Sequence, residues 1–302
     1  MSNDKLTKSI RELNRLTGLS LQIPDDASLS AEESSRAIEQ IQSLIEAYAE
    51  KNDQTTTLKR LITGNIDTHE IPHVAKRFHF DIKAPRALFL IESKQDMDET
   101  VLSILRNSFP DRGNTWFIPI HNKQIAMVST YSKKPAPEQL QEQAYLVMDI
   151  LNAEAMIRAN VAYSAVVEQI EHLSDRFKDA VLALKVGLIF YPEQHIYAYN
   201  ALGLGRLIYG LTKDQCIPYM LEAIGPGYEE ILLPETAHTF NCFFENNLNI
   251  AETARKLHMH RNTLIYRLEQ IQKQTGLDVR QIRDAMTFKT ALLIMNYLTT
   301  LS

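Results

Sequence analysis

The sequence predicts an α+β protein in three consecutive parts: a mainly helical N-terminal segment over residues 1–65, a βαββαβ middle domain over 66–212, and an all-α C-terminal domain over 213–302. Three observations lead there. Apolar residues recur at helical spacing through the first sixty or so positions, strand-like runs alternate with two helical patterns between residues 87 and 167, and the spacing is helical again from residue 214 to the end. With 45% apolar residues in 302 positions, the chain can bury two modest cores.

Residues 5–17 place Leu6, Ile10 and Leu13 on one face ahead of Gly18, the pattern of a short amphipathic helix. Ser30 and Glu33 have the spacing of a capping box that opens a second helix. Along it Ile38, Ile41, Ile45 and Tyr48 form an a/d seam, which stops at Asn52 and Thr55 before Leu58, Leu61 and Ile62 resume. Such a seam suits either a dimerisation helix or a helix packed on its own domain. Pro72 starts a short helix and leaves His69 outside it, so His69 and His73 lack the companions of a metal site.

The middle domain opens with a nearly continuous apolar strand at 87–92, followed by a helix at 97–107. Strands at 115–121 and 124–130 flank Asn122 and Lys123 as a hairpin, and Pro119 marks an edge or a bulge. Residues 138–155 carry Leu140, Ala144, Val147 and Leu151 on one helical face, and 157–167 alternate as a half-buried strand. The order is that of a split, ferredoxin-like sandwich with helices on one side of an antiparallel sheet. A helix around Leu173 to Leu184, a strand around 196–199 and a helix at 204–209 complete it.

In the C-terminal domain, Pro234 opens a helix bearing Ala237, Phe240, Phe243 and Phe244, the expected scaffold for the helix pair next in the chain. Asn249 and Glu252 then cap a helix striped by Ile250, Ala254 and Leu257. His258, Met259 and His260 interrupt the pattern, and a second helix runs from Arg261 with Leu264, Leu268, Ile271 and Thr275 inward, until Gly276 caps it. Its opposite face carries Asn262, Tyr266, Glu269, Gln270 and Lys273. Arg can take guanine O6 and N7 together, Asn can pair with adenine, and Tyr and Lys can hold phosphates, which is the chemistry of a major-groove reader. Charge agrees: residues 249–289 hold eight Lys and Arg against four Asp and Glu, a net +4 in a chain of −5. Residues 279–285 and 288–298 extend the bundle as two further helical stretches, with Leu292, Leu293, Met295 and Tyr297 inward.

The string ETARKLHMHRNTLIYRLEQIQKQTG, preceded by TAHTFNCFFENNLN, resembles the C-terminal helix-turn-helix domain of the PucR and CdaR family of bacterial transcription regulators. Thr236, Phe243, Phe244, Asn247, Asn249, Thr253, Ala254 and Leu257 sit at matching places, as do His260 to Leu264, Tyr266 to Leu268 and Gly276. The resemblance implies Arg261, Asn262, Thr263, Tyr266 and Arg267 as DNA contacts, with His260 and Lys273 completing the expected set; Arg267 has the alternative role of locking the two helices together. Where a generic helix-turn-helix prefers Gly in its turn, this chain has His258. Residues 70–212 are similar to the GGDEF-like nucleotide-cyclase fold of CdaR-type regulators, by topology and by Leu173, Ser174, Phe177, Asp179, Ala180, Ala183 and Leu184. A cyclase needs glycines and carboxylates at its hairpin to seat a nucleotide and Mg²⁺, and His121, Asn122, Lys123 and Gln124 supply neither, so this domain is read as degenerate.

Further exclusions narrow the field. The longest apolar runs (ALFLI, VGLIFY, ALLIM) are five or six residues long, against the ~20 that cross a bilayer. The N-terminus lacks the apolar stretch of a signal peptide, and Cys216 and Cys242 are too few for a disulfide framework. Neither a Walker motif nor a dinucleotide fingerprint occurs, and Ser164, His172 and Asp175 read as surface residues. The expectation is a cytoplasmic, non-enzymatic, sequence-specific DNA-binding regulator without cofactor or metal. It is expected to be a homodimer on double-stranded DNA that answers to a small-molecule effector. The alternative is a ligand- or nucleotide-binding interaction module that does not bind DNA.

Overall fold

The computed structural model describes residues 2–17, 19–22, 31–109 and 114–301. Its elements run α1 (Ser2–Thr17), α2 (Ala31–Thr63), α3 (Ile71–Arg77), β1 (Arg86–Ser93), α4 (Glu99–Ser108), β2 (Thr115–His121), β3 (Gln124–Thr130), α5 (Pro137–Glu154), β4 (Ala159–Tyr163), α6 (Leu173–Phe190) and β5 (Ile196–Ala198). After these come α7 (Gly203–Ile208), α8 (Lys213–Ala223), α9 (Tyr228–Ile231), α10 (Pro234–Glu245), α11 (Ile250–Lys256), α12 (Arg261–Thr275) and α13 (Ile282–Thr300). This is an α+β fold with an all-helical C-terminal part.

The strands form one five-stranded sheet in the order β2-β3-β1-β4-β5. Pro119 lies in the edge strand β2, and the β2–β3 register slips between Pro119 and His121, because proline cannot donate to the ladder. β1 and β4 run antiparallel with Phe89 opposite Tyr163, whereas β4 and β5 run parallel with Ala162 opposite Tyr197. The sheet is therefore mixed, not purely antiparallel as the alternation had implied. The long α6 lies in the β4-to-β5 connection and lets β5 enter in the same direction as β4. β4 is also shorter than the alternating stretch. Beyond it, Val167 makes only an isolated bridge to Arg86, with reciprocal backbone bonds of 2.7 and 2.8 Å.

Two compact units are distinguished: residues 1–88, 96–135 and 166–177, and residues 89–95, 136–165 and 178–302. In the first, α1 lies along α2 with Leu6 and Leu13 buried, and the lower part of α2 buries Leu58, Leu61 and Ile62. α2 is one continuous helix through Thr55. The seam residues Ile38, Ile41, Ile45 and Tyr48 are half-buried. Gly18 and Ser30, expected to punctuate these helices, lie outside the described residues. His69 stands in a 3-10 turn and His73 in α3, and no group of three metal-ligating side chains gathers among the described residues. Arg86 is buried; its guanidinium donates to the carbonyls of Ala84 and Asp81 and lies over the Trp116 ring at 5.7 Å.

In the second unit the C-terminal helices surround an aromatic core. Phe240 of α10 meets Phe288 of α13 edge-on with ring centroids 4.8 Å apart, and both side chains are fully buried. Tyr297 of α13 donates to the carbonyl of Tyr209 at 2.9 Å, fixing the helix end. Residues 279–298, expected as two pieces, contain a single helix from Ile282 onward that buries Leu292, Leu293 and Tyr297. Cys216 and Cys242 are buried free thiols, and Ser164 is also buried, contrary to its reading as a surface residue. No helix among the described residues is long and apolar enough to cross a membrane.

Candidate nucleic-acid interface

The interface is built from α11, a tight turn and α12. Asn249 adopts an extended conformation ahead of α11, and its side-chain oxygen accepts from the backbone N–H groups of Ala251 and Glu252 at 3.0 and 3.1 Å. A helix start otherwise leaves such donors without partners. Glu252 does not return the second bond of a capping box; its carboxylate pairs with Arg255 instead. Thr253, fully buried, donates its hydroxyl to the Asn249 carbonyl at 2.7 Å.

The turn resolves the absence of glycine. His258 has φ +51°, a left-handed conformation that costs a side-chain-bearing residue about 1–2 kcal/mol. It is held there by a bond from His258 N–H to Arg255 O at 3.2 Å, and Met259 N–H closes on Ala254 O at 2.9 Å. His260 then caps α12: its backbone is extended, and its Nδ1 accepts from Asn262 N–H at 3.2 Å. At the other end Gly276 takes φ +77° and donates to Gln272 O at 2.8 Å, a left-handed C-cap.

Between these caps α12 divides cleanly. Leu264, Leu268 and Ile271 are buried, while Arg261, Asn262, Thr263, Tyr266, Glu269 and Lys273 are exposed, Tyr266 at 61%. Asn262, Tyr266, Glu269 and Lys273 fall at i, i+4, i+7 and i+11, a line about 16 Å long at 1.5 Å per residue. No acid stands in the first turn, so the positive end of the helix dipole and Arg261 act together there. The side chains of Arg261, Asn262, Thr263, Tyr266 and Lys273 make no hydrogen bond or ion pair among the described residues.

The remaining cations of the segment are mostly engaged. Arg255 pairs with Glu252, Lys256 with Glu245 at 3.7 Å, and Arg280 with Asp278 at 2.7 Å. Lys289 donates to Asn241 at 2.7 Å, and its burial pushes the ammonium pKa down. Arg267 lies about 70° around the helix from the buried stripe, at 100° per residue, and not on the exposed line. Its guanidinium reaches α10, donating to Thr239 Oγ1 at 3.0 Å and pairing with Glu235 at 2.7 Å. Of the expected set, six residues thus sit at the cap or on free surface, while Arg267 ties α12 to the scaffold helix α10 and not to α11, the helix it was expected to lock. Glu235 and Thr239, its partners, were not anticipated from the sequence.

Comparison with known proteins agrees with this architecture. Residues 236–294 match the PucR C-terminal helix-turn-helix domain, and residues 63–186 match the GGDEF-like domain. The purine catabolism regulatory protein of Bacillus subtilis is 26% identical over 43% of this chain and 24% of its own length. The carbohydrate diacid regulator of Escherichia coli is 22% identical over 77% of this chain and 63% of its own. An uncharacterised Haemophilus influenzae protein is 24% identical over 78% of this chain and 63% of its own. The chain thus spans less than two thirds of the length of each of these relatives. A crystal structure of a regulator of polyketide synthase expression from Bifidobacterium adolescentis aligns over 81% of this chain and 92% of its own, with 17% identity and a TM-score of 0.41. The chain thus carries a GGDEF-like domain followed by a PucR C-terminal helix-turn-helix domain, and is similar in sequence to the purine catabolism and carbohydrate diacid regulators.

Proposed function

We propose that this chain is a sequence-specific DNA-binding transcription regulator that reads duplex DNA with α12. One observation carries the reading: the first turns of α12 present Arg261, Asn262, Thr263 and Tyr266 outward with no competing partner, over a buried apolar stripe that fixes the helix. Arg261 and Asn262 are the base-reading residues, able to take guanine and adenine respectively. Thr263, Tyr266, Lys273 and the His260 cap face the phosphates and set the register. Arg267 positions α12 against α10 and does not touch DNA.

The same proposal divides the chain into a helical segment at 1–65 with the half-buried α2 seam as dimer contact, a GGDEF-like domain at 66–212 and the reading domain at 213–302. Two copies would place two α12 helices at half-sites about one turn of DNA apart. The GGDEF-like domain acts as a non-catalytic sensor or contact domain in this reading, since its 121–124 hairpin offers neither carboxylate nor glycine for a metal-bound nucleotide. A cytoplasmic location is consistent with the proposed task.

The test is selection of genomic fragments by the full chain, and then anisotropy titrations of a selected fragment at rising salt. A steep fall in affinity, with a logarithmic slope of about −0.9 per phosphate contact, is expected. Affinity that is indifferent to salt and to fragment sequence would instead favour a ligand-binding module that leaves DNA alone.

A further inference from the structure

Away from the helix pair, the second unit holds an open cavity of about 640 Å³, within the size range of small-molecule sites. Tyr145, Tyr163, Tyr191 and Tyr197 line it, with Glu193 and His195. The fold explains why they meet. Tyr163 ends β4 opposite Ala198 of β5, Tyr145 projects from α5 at 51% exposure, and Tyr191 and Glu193 sit in the segment joining α6 to β5. The Tyr197 ring lies against Gly187 of α6, where an added Cβ would come within 2.2 Å of it, so that helix position has room only for glycine.

The hydroxyls divide into two kinds. Tyr191 donates to Leu202 O at 3.0 Å and Tyr197 to Gln194 O at 2.5 Å, which holds those rings in place. Neither the Tyr145 nor the Tyr163 hydroxyl has a hydrogen-bond partner among the described residues. Burial pushes the Tyr163 and Tyr191 phenols up from their ordinary value, so both are neutral at physiological pH. The lining has no Lys or Arg, and Glu193 is its one carboxylate. Apart from His195, whose Nδ1 is engaged with Asn160 Oδ1 at 3.0 Å, a phosphate or carboxylate would meet no cationic side chain there and would face the Glu193 carboxylate, and a lone carboxylate with aromatic neighbours is a poor ligand set for a metal ion. Electron-rich ring faces beside one negative charge are instead the chemistry that holds an organic cation.

We propose that this cavity binds a small organic cation with a primary or quaternary ammonium head, held against the tyrosine rings with Glu193 balancing its charge. The test is calorimetric titration of the full chain, without DNA, using choline and butylammonium as probes and 3,3-dimethylbutan-1-ol as the neutral isostere of choline. At least one cation should bind saturably, and the isostere at least about tenfold more weakly. Tyr145→Ala should weaken cation binding about 2- to 5-fold, the range of a cation–π contact at an exposed site, whereas Tyr145→Phe keeps the ring and should retain it. Glu193→Gln should weaken it about 1.5- to 5-fold, the range of an exposed charge pair. Both positions are exposed, so these variants keep the fold. Absence of saturable heat with both cations, equal binding of the isostere, or indifference to Tyr145→Ala would each overturn the assignment. None of these outcomes depends on whether α12 reads DNA.

Discussion

Arg267→Met separates the two roles open to that residue. Its guanidinium spans from α12 to α10 through Thr239 Oγ1 at 3.0 Å and Glu235 at 2.7 Å, with the arginine side chain 35% exposed, Glu235 75% exposed and Thr239 buried. The ion pair is wet and contributes only about 0.3–0.5 kcal/mol. The bond to the buried threonine contributes about 1 kcal/mol, because its loss leaves a desolvated hydroxyl short of a partner. Methionine keeps much of the aliphatic stem, so the expected cost is roughly 1–2 kcal/mol. Trp116, the single tryptophan, lies in the other unit and cannot report on this loss. Hydrogen exchange read on peptides from α10 and α12 can, and should quicken about 5- to 30-fold. Glu235→Gln should quicken it less, and the double variant should show a coupling of about 0.3–0.5 kcal/mol. The salt slope of DNA binding should not change. A slope smaller by about one, with unaltered exchange, would make Arg267 a phosphate contact and refute the locking role.

The same geometry sets further outcomes. Asn249→Ala should cost about 1 kcal/mol by freeing the Ala251 and Glu252 donors, seen as fraying of α11 in hydrogen exchange. His258→Gly removes a side chain from a φ of +51° and should stabilise the turn by about 0.5–1 kcal/mol net of glycine's entropy, measured in the same experiment. The hydrogen bond from Arg280 holds the Asp278 carboxyl below its usual value. A depressed carboxylate stabilises the fold above its unfolded pKa and loses that contribution as pH falls through the folded value. The α12–α13 connection should therefore loosen below about pH 4, and Asp278→Asn should flatten that dependence in an acid titration monitored by NMR.

Much of this was legible from local pattern. β2 and β3 run over the residues that alternation and Pro119 indicated, and α12 begins and ends where its stripe and Gly276 required. Boundaries drifted where periodicity and capping compete: Met97 continues the apolar pattern, yet its N–H is drawn to Asn122 O, and Asp98 caps α4 instead. The break at Asn52 and Thr55 interrupts an apolar seam without interrupting the helix, since neither residue forbids helical dihedrals. Direction of β5 was not visible, because a three-residue strand carries no orientation signal and its partner is fixed by tertiary packing. Arg267's partners lie about thirty residues upstream, and the four cavity tyrosines are spread from 145 to 197 with no local motif. Contacts of that kind are set by the fold, which a linear pattern does not encode.

In the proposed reading, it is the outward first turns of α12 that discriminate between DNA sequences. Its most direct test is a titration of a fragment selected from the genome, against a scrambled fragment of equal length, with the native chain and with Arg261→Ala/Asn262→Ala. The native chain should prefer the selected fragment by about 10³-fold or more. The double variant, folded by circular dichroism, should lose about 2–6 kcal/mol of that preference and keep the weak, salt-sensitive background. An undiminished preference in the folded double variant would contradict the account.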